Sequence, residues 1–398
     1  MSTRSFVLLD VDDTSSAPAG SRIDTASTGV RLPGGTNWSV TFRTLRGGLS
    51  DGVDVIDLSN GSVTVSLLPT RGMGIWKAVR DDVTAGWRSP VERPVHPRHV
   101  ALGSRNGLGW LDGFNELLCR CGLAFNGPPG SDAGAKSPIE SQLTLHGKIA
   151  NLPAHRVTVE IDDSGPGRLS VTGVVDECTL FGPQLRLTST VSMTPGSAAI
   201  EIEDRVENLA STPTELELLY HINVGPPFLG PKSRLIAPAT VMAPRDPRAA
   251  EGIDGFADYL GPTPGYAEQA YFLDLAADAA GWTEALLSNA AGNRGFGVRY
   301  ERSGLPCFTL WKCTQPEADG YVTGLEPGTN FPNFKSFERT QGRVISLPAS
   351  GAHVARLALE LHISTGEVAA AAARIAALQG GRTPEVHRAP AAGFSPVA

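Results

Sequence analysis

"GRLSVTGVVDECTLFGPQLRLTSTVSMTPGSAAIEIEDRVEN", residues 167–208, holds three runs of alternating apolar and polar side chains, parted by turns with glycine and proline. Alternation with a period of two puts one set of side chains on each face of an extended chain, so each run reads as a half-buried β-strand. The same pattern lies on both sides. It appears in "GSVTVSLLP" (61–69) and "HRVTVEI" (155–161), then in "ELELLYHINV" (215–224), "RGFGVRY" (294–300), "PCFTLWKC" (306–313) and "HVARLALELHI" (353–363). Helical spacing is convincing only in "TGEVAAAAARIAALQGG" (365–381), where Thr365 can cap, alanines fill the turns and the glycine pair ends the helix. Strands without interposed helices predict a mainly β fold, a large sandwich rather than a βαβ protein. One domain is expected over residues 1–380, with a disordered tail over 381–398. Residues 90–138 differ, being irregular, aromatic and rich in proline and glycine. A long irregular insertion in a compact fold builds a site or a lid.

The bulk chemistry narrows the function classes. A formal net charge of -7 argues against a nucleic-acid or acidic-membrane partner, since phosphate binding wants a basic face. No apolar run approaches the roughly 18 residues of a membrane span. The only apolar piece near the start, "FVLL", is too short for a signal peptide, so a cytoplasmic protein is expected. Cys119, Cys121, Cys178, Cys307 and Cys313 make an odd set without a C-x-x-C, a poor disulfide framework. Cys119 and Cys121, two apart on a strand, read as buried thiols facing one side.

Titratable groups stand where strands meet glycine or proline in three places: His146 in "TLHGK", His221 with Asn223 in "LLYHINVGPP", and Glu326 in "GLEPGTNFPN". One strand-end histidine is ordinarily structural; three such places far apart in the chain suggest one cleft. Two histidines and a glutamate could hold a metal, but without H-x-H or H-E-x-x-H spacing no metal site is assigned. There is no G-x-S-x-G elbow and no phosphate-cradling glycine motif. A glycosidase pair could be drawn from Glu116 and Glu326, yet it leaves the histidines unexplained. Acid–base chemistry on a neutral polyol fits better, because imidazole can give or take a proton at neutral pH and a carboxylate can do the converse. Aromatic platforms and amides suited to a sugar are near, among them Trp76, Trp110, Phe114, Phe125, Trp311, Asn223 and Asn330. Arg71 and Lys312, at strand ends, could bind hydroxyls or an acidic substituent.

In order along the chain, "LHG", "YHINVGPP", "LEPGTNFPN" and "ISLPASGAHVARLALELH" resemble the aldose 1-epimerase (galactose mutarotase-like) superfamily. "LLPTRGMGIWKA", "GWLDGFNELLCRCGLAFNGPPG" and "HGKIANLPA" are similar to its DUF4432 branch. The resemblance spans about residues 40–362 and implies a β-supersandwich with a sugar cleft on one face. By that resemblance His221 is the acid on the ring oxygen, Glu326 the base on the anomeric hydroxyl, and His146 a histidine that binds and polarises the sugar. Asp246 and Asp254 are candidates for the superfamily's mid-chain aspartate. The expected activity is interconversion of the anomers of a free sugar, without a cofactor. A carbohydrate-binding protein without turnover, or an isomerase or lyase on the same fold, remain alternatives.

Overall fold

In the computed structural model, which describes residues 3–13 and 16–396, the alternating runs pair into two large sheets. Arg168–Cys178, Gln184–Met193 and Ala199–Asn208 are successive antiparallel neighbours in a nine-stranded sheet, with Val171 opposite Val191 and Val191 opposite Ile202. Most of their apolar side chains are buried and Thr172, Arg186, Glu201, Glu203 and Arg205 face outward, as a period of two requires, while Ser189 and Asp204 turn inward. The second sheet has thirteen strands. The chain is mainly β, as its patterning predicts, and the sheets pack around one large apolar cluster drawn from both.

The part of the second sheet that matters for chemistry runs across five antiparallel strands. In spatial order they are Leu118–Cys121, Leu219–Val224, Val322–Gly328, Cys307–Cys313 and Gln269–Leu275. All six residues of Leu219–Val224 are buried, so this strand is covered on both faces. One face, with Tyr220 and Ile222, looks into the core between the sheets. There the Arg120 guanidinium, fully buried, ion-pairs with Asp204 of the nine-stranded sheet, and Tyr220 donates its hydroxyl to the same carboxylate at 2.8 Å. The other face, with His221 and Asn223, is covered by the irregular segment, which lays Trp110 and Phe114 against the His221 ring.

The helix occupies Thr365–Gln379, and its cap is Ser364 rather than Thr365: the Ser364 hydroxyl accepts the Glu367 N–H. It packs Val368, Ala371 and Ile375 against Leu286. The tail expected to be disordered is instead docked as far as it is described. Glu385–Val386 adds to the edge strand Ala239–Pro244, Phe394 packs on Phe331, and Ser395 is buried. Asn333 and Arg343 also donate to the carbonyls of Phe394 and Gly393, and Arg388 pairs with Asp254. Residues 397 and 398 of that tail lie outside the described residues. No helix among the described residues is long and apolar enough to cross a membrane.

Candidate active site

Register brings the first two groups together. His221 lies beside Cys119 on one neighbouring strand, and the pairing of Ile222 with Leu325 sets His221 beside Glu326 on the other. Thr309 follows opposite Glu326, and Trp311 stands two residues on, opposite Gly324. The His221 Nε2 and Glu326 Oε1 atoms are 3.3 Å apart, and both side chains are almost wholly buried. Gly324 is what lets the carboxyl lie there: a Cβ at that position would sit 2.2 Å from Glu326 Oε1 and 3.2 Å from the Trp311 Cβ. Gly324→Ala is therefore expected to displace a flexible carboxyl rather than the backbone. Turnover should fall on the order of tenfold or more with little change in melting temperature. Undiminished activity in that variant would separate the pair's geometry from catalysis.

His146 follows the short strand Gln142–Leu143 on a left-handed turn, with φ of 56° followed by Gly147 at 72°. The glycine is obligatory there, because a Cβ would meet the carbonyl oxygens of Phe125 and Gly122 at 2.2 and 2.4 Å. The His146 and His221 rings meet edge to face with centroids 5.4 Å apart. Trp110 closes one side, 4.7 Å from His146, and Trp311 another, 5.3 Å from His221. Phe114, Cys119, Cys121 and Leu219 complete an apolar wall. The Trp110 indole N–H and the Thr309 hydroxyl are buried without a protein partner, as is Glu326 Oε1 beyond the histidine. Buried donors and acceptors left open among these rings suit a ligand that brings hydroxyl groups.

Hydrogen bonds assign the ring protons. Asn223 gives its amide hydrogens to the carbonyls of Glu116 and His221, so its Oδ1 accepts from His221 Nδ1 at 2.6 Å. His146 Nδ1 likewise donates to the Asn126 carbonyl at 2.7 Å. Both Nε2 atoms are thereby left for the recess. Burial holds His221 well below the ordinary imidazole value, helped by His146 and opposed by Asn223. Burial pushes Glu326 well above the usual carboxylate range, with the charge of Glu268 adding to it and Arg245 opposing. His146 is lowered to about 4 by burial, against the Asn126 carbonyl and Glu268. Its ring signals in NMR should thus stay unmoved through the ordinary range near 6.5 and shift only around pH 4. The unfolded chain protonates first, so this group's contribution to stability should be lost as pH falls below about 6.5. A His146 signal that titrates normally would contradict the buried, neutral assignment.

Polar groups also rim the recess. Trp311 donates its indole N–H to Glu268 at 2.7 Å, Glu268 pairs with Arg245 at 3.0 Å, and Arg245 pairs with Asp246 at 2.8 Å. Asp246 itself caps the short helix Pro247–Ala250, and Asp254 is exposed and paired with Arg388. Neither aspartate points into the recess as a free acid.

Several expected binders are placed elsewhere. Arg71 is buried and spent on Glu116 at 2.5 Å, on Asn151 and on the carbonyls of Val95 and Gly113. That pair also removes Glu116 as a second catalytic acid. Lys312 neighbours Trp311 and so faces the opposite side, donating to the carbonyls of Phe256 and Asp258. Asn330 is fully buried among Asn126, Glu217, Thr329 and the Phe331 carbonyl. Asn223 orients His221, whereas Trp110 does line the recess. Glu268, Arg245 and Asn126 went unread in the sequence, since nothing local distinguishes them from loop residues. Among the described residues, the one group of three donors close enough to share an ion is Glu284, Glu360 and His362, away from this recess on the nine-stranded sheet. Arg374 already lies against both of its carboxylates.

The model of the DUF4432 family, a domain of unknown function, matches residues 50–361. Among solved structures, a "putative aldose 1-epimerase" from Klebsiella pneumoniae subsp. pneumoniae MGH 78578 is 32% identical, with a TM-score of 0.92 over 98% of this chain and 100% of that one. A galactose mutarotase-like protein from Clostridium acetobutylicum shares the fold at 14% identity, with a TM-score of 0.54 over 81% of this chain and 98% of that one. No protein of curated function matches the sequence.

Proposed function

The chain belongs to the DUF4432 family and has a galactose mutarotase-like fold, and from that premise we propose that it interconverts the anomers of a free sugar by acid–base catalysis. The observation that carries the reading is the direct approach of His221 Nε2 to Glu326 Oε1, 3.3 Å, in a recess walled by His146 and two tryptophans. The two oxygens a mutarotase must serve, the ring oxygen and the anomeric hydroxyl, are bonded to the same carbon. A donor and an acceptor side by side match them.

With His221 Nδ1 donating to Asn223, one mobile proton belongs to the pair, either on Glu326 or on His221 Nε2. Buried partners of this kind titrate as a unit. The two shifts rest that proton on Glu326, so the working form is the tautomer in which it has passed to His221 and left Glu326 a carboxylate. Glu326 takes the proton of the anomeric hydroxyl while His221 gives its own to the ring oxygen. The C1–O5 bond breaks and a carbonyl forms at C1. After rotation about C1–C2, closure on the other face returns each proton. His146, through Nε2, accepts a hydrogen bond from a sugar hydroxyl, and Trp311 offers an aromatic face. Positioned acid and base groups typically supply about 10²–10⁴-fold each.

The singly protonated pair persists over a wide range because burial lowers His221 and raises Glu326. The expected pH profile is a broad plateau through neutrality, with the acidic limb well below 6.5. NMR exchange spectroscopy on a panel of monosaccharides tests the proposal. At least one sugar should exchange anomers faster than in buffer. Binding without acceleration for every sugar would make this a carbohydrate-binding protein. A ketose, or new ultraviolet absorbance, would point to isomerase or lyase chemistry instead.

A further inference from the structure

We propose that Glu217, Asn330 and Asn126 are positioning residues that hold the His146 ring in its working orientation through hydrogen bonds that fix the Asn126 side chain and, through it, the Asn126 backbone carbonyl. Glu217 Oε1 accepts from Asn330 Nδ2 at 2.8 Å, Asn330 Oδ1 accepts from Asn126 Nδ2 at 2.8 Å, and the Asn126 carbonyl accepts from His146 Nδ1 at 2.7 Å. The returning contact from Asn330 Nδ2 to Asn126 Oδ1, 3.3 Å, makes the two amides a reciprocal pair. Thr329 donates its hydroxyl to Asn330 Oδ1 and accepts the Leu218 N–H, so the amide is fixed in direction. Glu217, Asn330 and Asn126 are all fully buried.

Such an arrangement needs a reason. Glu217 Oε2 is buried with no partner, and burial pushes the carboxyl up to about 8. Lys335 and Arg339 draw it down, while Glu338 and Glu215 press it upward. A buried carboxyl with one hydrogen bond stabilises little, and apolar packing would serve the fold as well. What it does is anchor the amides that fix the carbonyl beside His146. That histidine sits on a left-handed turn whose backbone is held by the Gly127 carbonyl and the Gly122 N–H, which leaves the direction of the ring itself to be fixed by the Asn126 carbonyl. The segment is also bound at Gly122, whose carbonyl accepts from Lys148 and Ile149, and at Leu123, whose carbonyl accepts the Glu217 N–H. "LEPGTNFPN" thus serves the recess twice: Glu326 enters it directly, and Asn330 steadies the group across from it.

The catalytic part of this inference rests on the proposed function; the positioning part does not. The test is the His146 Nδ1–H resonance, read in the full-length protein labelled with ¹⁵N, together with anomer exchange. Asn126→Ala keeps the carbonyl that His146 uses and removes only the tether to Asn330. Asn330→Asp, nearly isosteric, cannot donate to Glu217. Both should shift or broaden the resonance, and turnover should fall roughly tenfold or more with a smaller change in KM. Glu217→Ala should do the same, and Glu217→Gln, which keeps an oxygen acceptor, should restore both readouts to within about threefold of wild type. A wild-type resonance in the folded Asn126→Ala and Asn330→Asp proteins overturns the positioning role. If no sugar is turned over by the wild-type protein, the resonance alone still decides, and only the reaction is wrong.

Discussion

Glu326→Gln and His221→Asn should each lose roughly 10²-fold or more in turnover while still binding sugar within a few-fold. Glutamine keeps the length and much of the hydrogen bonding of Glu326, but an amide cannot take a hydroxyl proton. Asparagine at 221 leaves no titrating acid facing the ring oxygen. Neither change opens a large cavity, and beyond the His221 ring Glu326 Oε1 has no hydrogen-bond partner to lose, so both variants should remain folded. Anomer exchange measured at several pH values gives the rates, and line broadening of the sugar gives binding. Unchanged rates in both variants would mean that the acid and base have been misassigned. Loss of binding along with rate would instead assign these side chains to affinity.

The largest expected effect on stability lies on the other face of the same sheet. Asp204→Ala should destabilise the protein by about 3–5 kcal/mol, because it strands the Arg120 charge in the core. Arg120 gives hydrogen bonds to Asp204, to the Ser189 hydroxyl and to the Met73 carbonyl, and Tyr220 also depends on Asp204. Neither side chain of the pair has solvent-accessible surface, so the solvent cannot take over. Urea denaturation reports the loss as a lower midpoint. Replacing both charges together, Arg120→Met with Asp204→Leu, should recover most of it, since an apolar pair of similar volume carries no desolvation cost. A midpoint for Asp204→Ala near that of wild type would show that the guanidinium finds solvent.

The strands were legible because alternation survives wherever one sheet face is wet, as in Arg168–Cys178 and Ala199–Asn208. His146, His221 and Glu326 were legible as candidates because His146 precedes Gly147, Glu326 precedes Pro327 and His221 belongs to a run that stops at Gly225. Lys312 was misread for want of parity. Once Thr309 faces Glu326, Trp311 must share that face and Lys312 must turn away. Arg71 was misread because its partner, Glu116, comes from the irregular segment, where no period sets direction. The link between Asn126 and Asn330 joins positions 204 apart, and no local signal foretells it. The tail carries no periodicity at all; Phe394 is held by the Phe331 ring and by hydrogen bonds from Asn333 and Arg343 to its stretch of backbone.

The single proton held between His221 and Glu326 has one more consequence. Ring opening moves one proton onto the pair and one off it, and ring closure reverses both, so the proton inventory is closed through the whole cycle. The recess needs no relay of waters to the bulk, which suits side chains buried as deeply as these. It also predicts an isotopic memory. A sugar carried through several interconversions in one residence would keep its own anomeric hydroxyl hydrogen, held on Glu326 while the ring is open, rather than take a new one from the solvent.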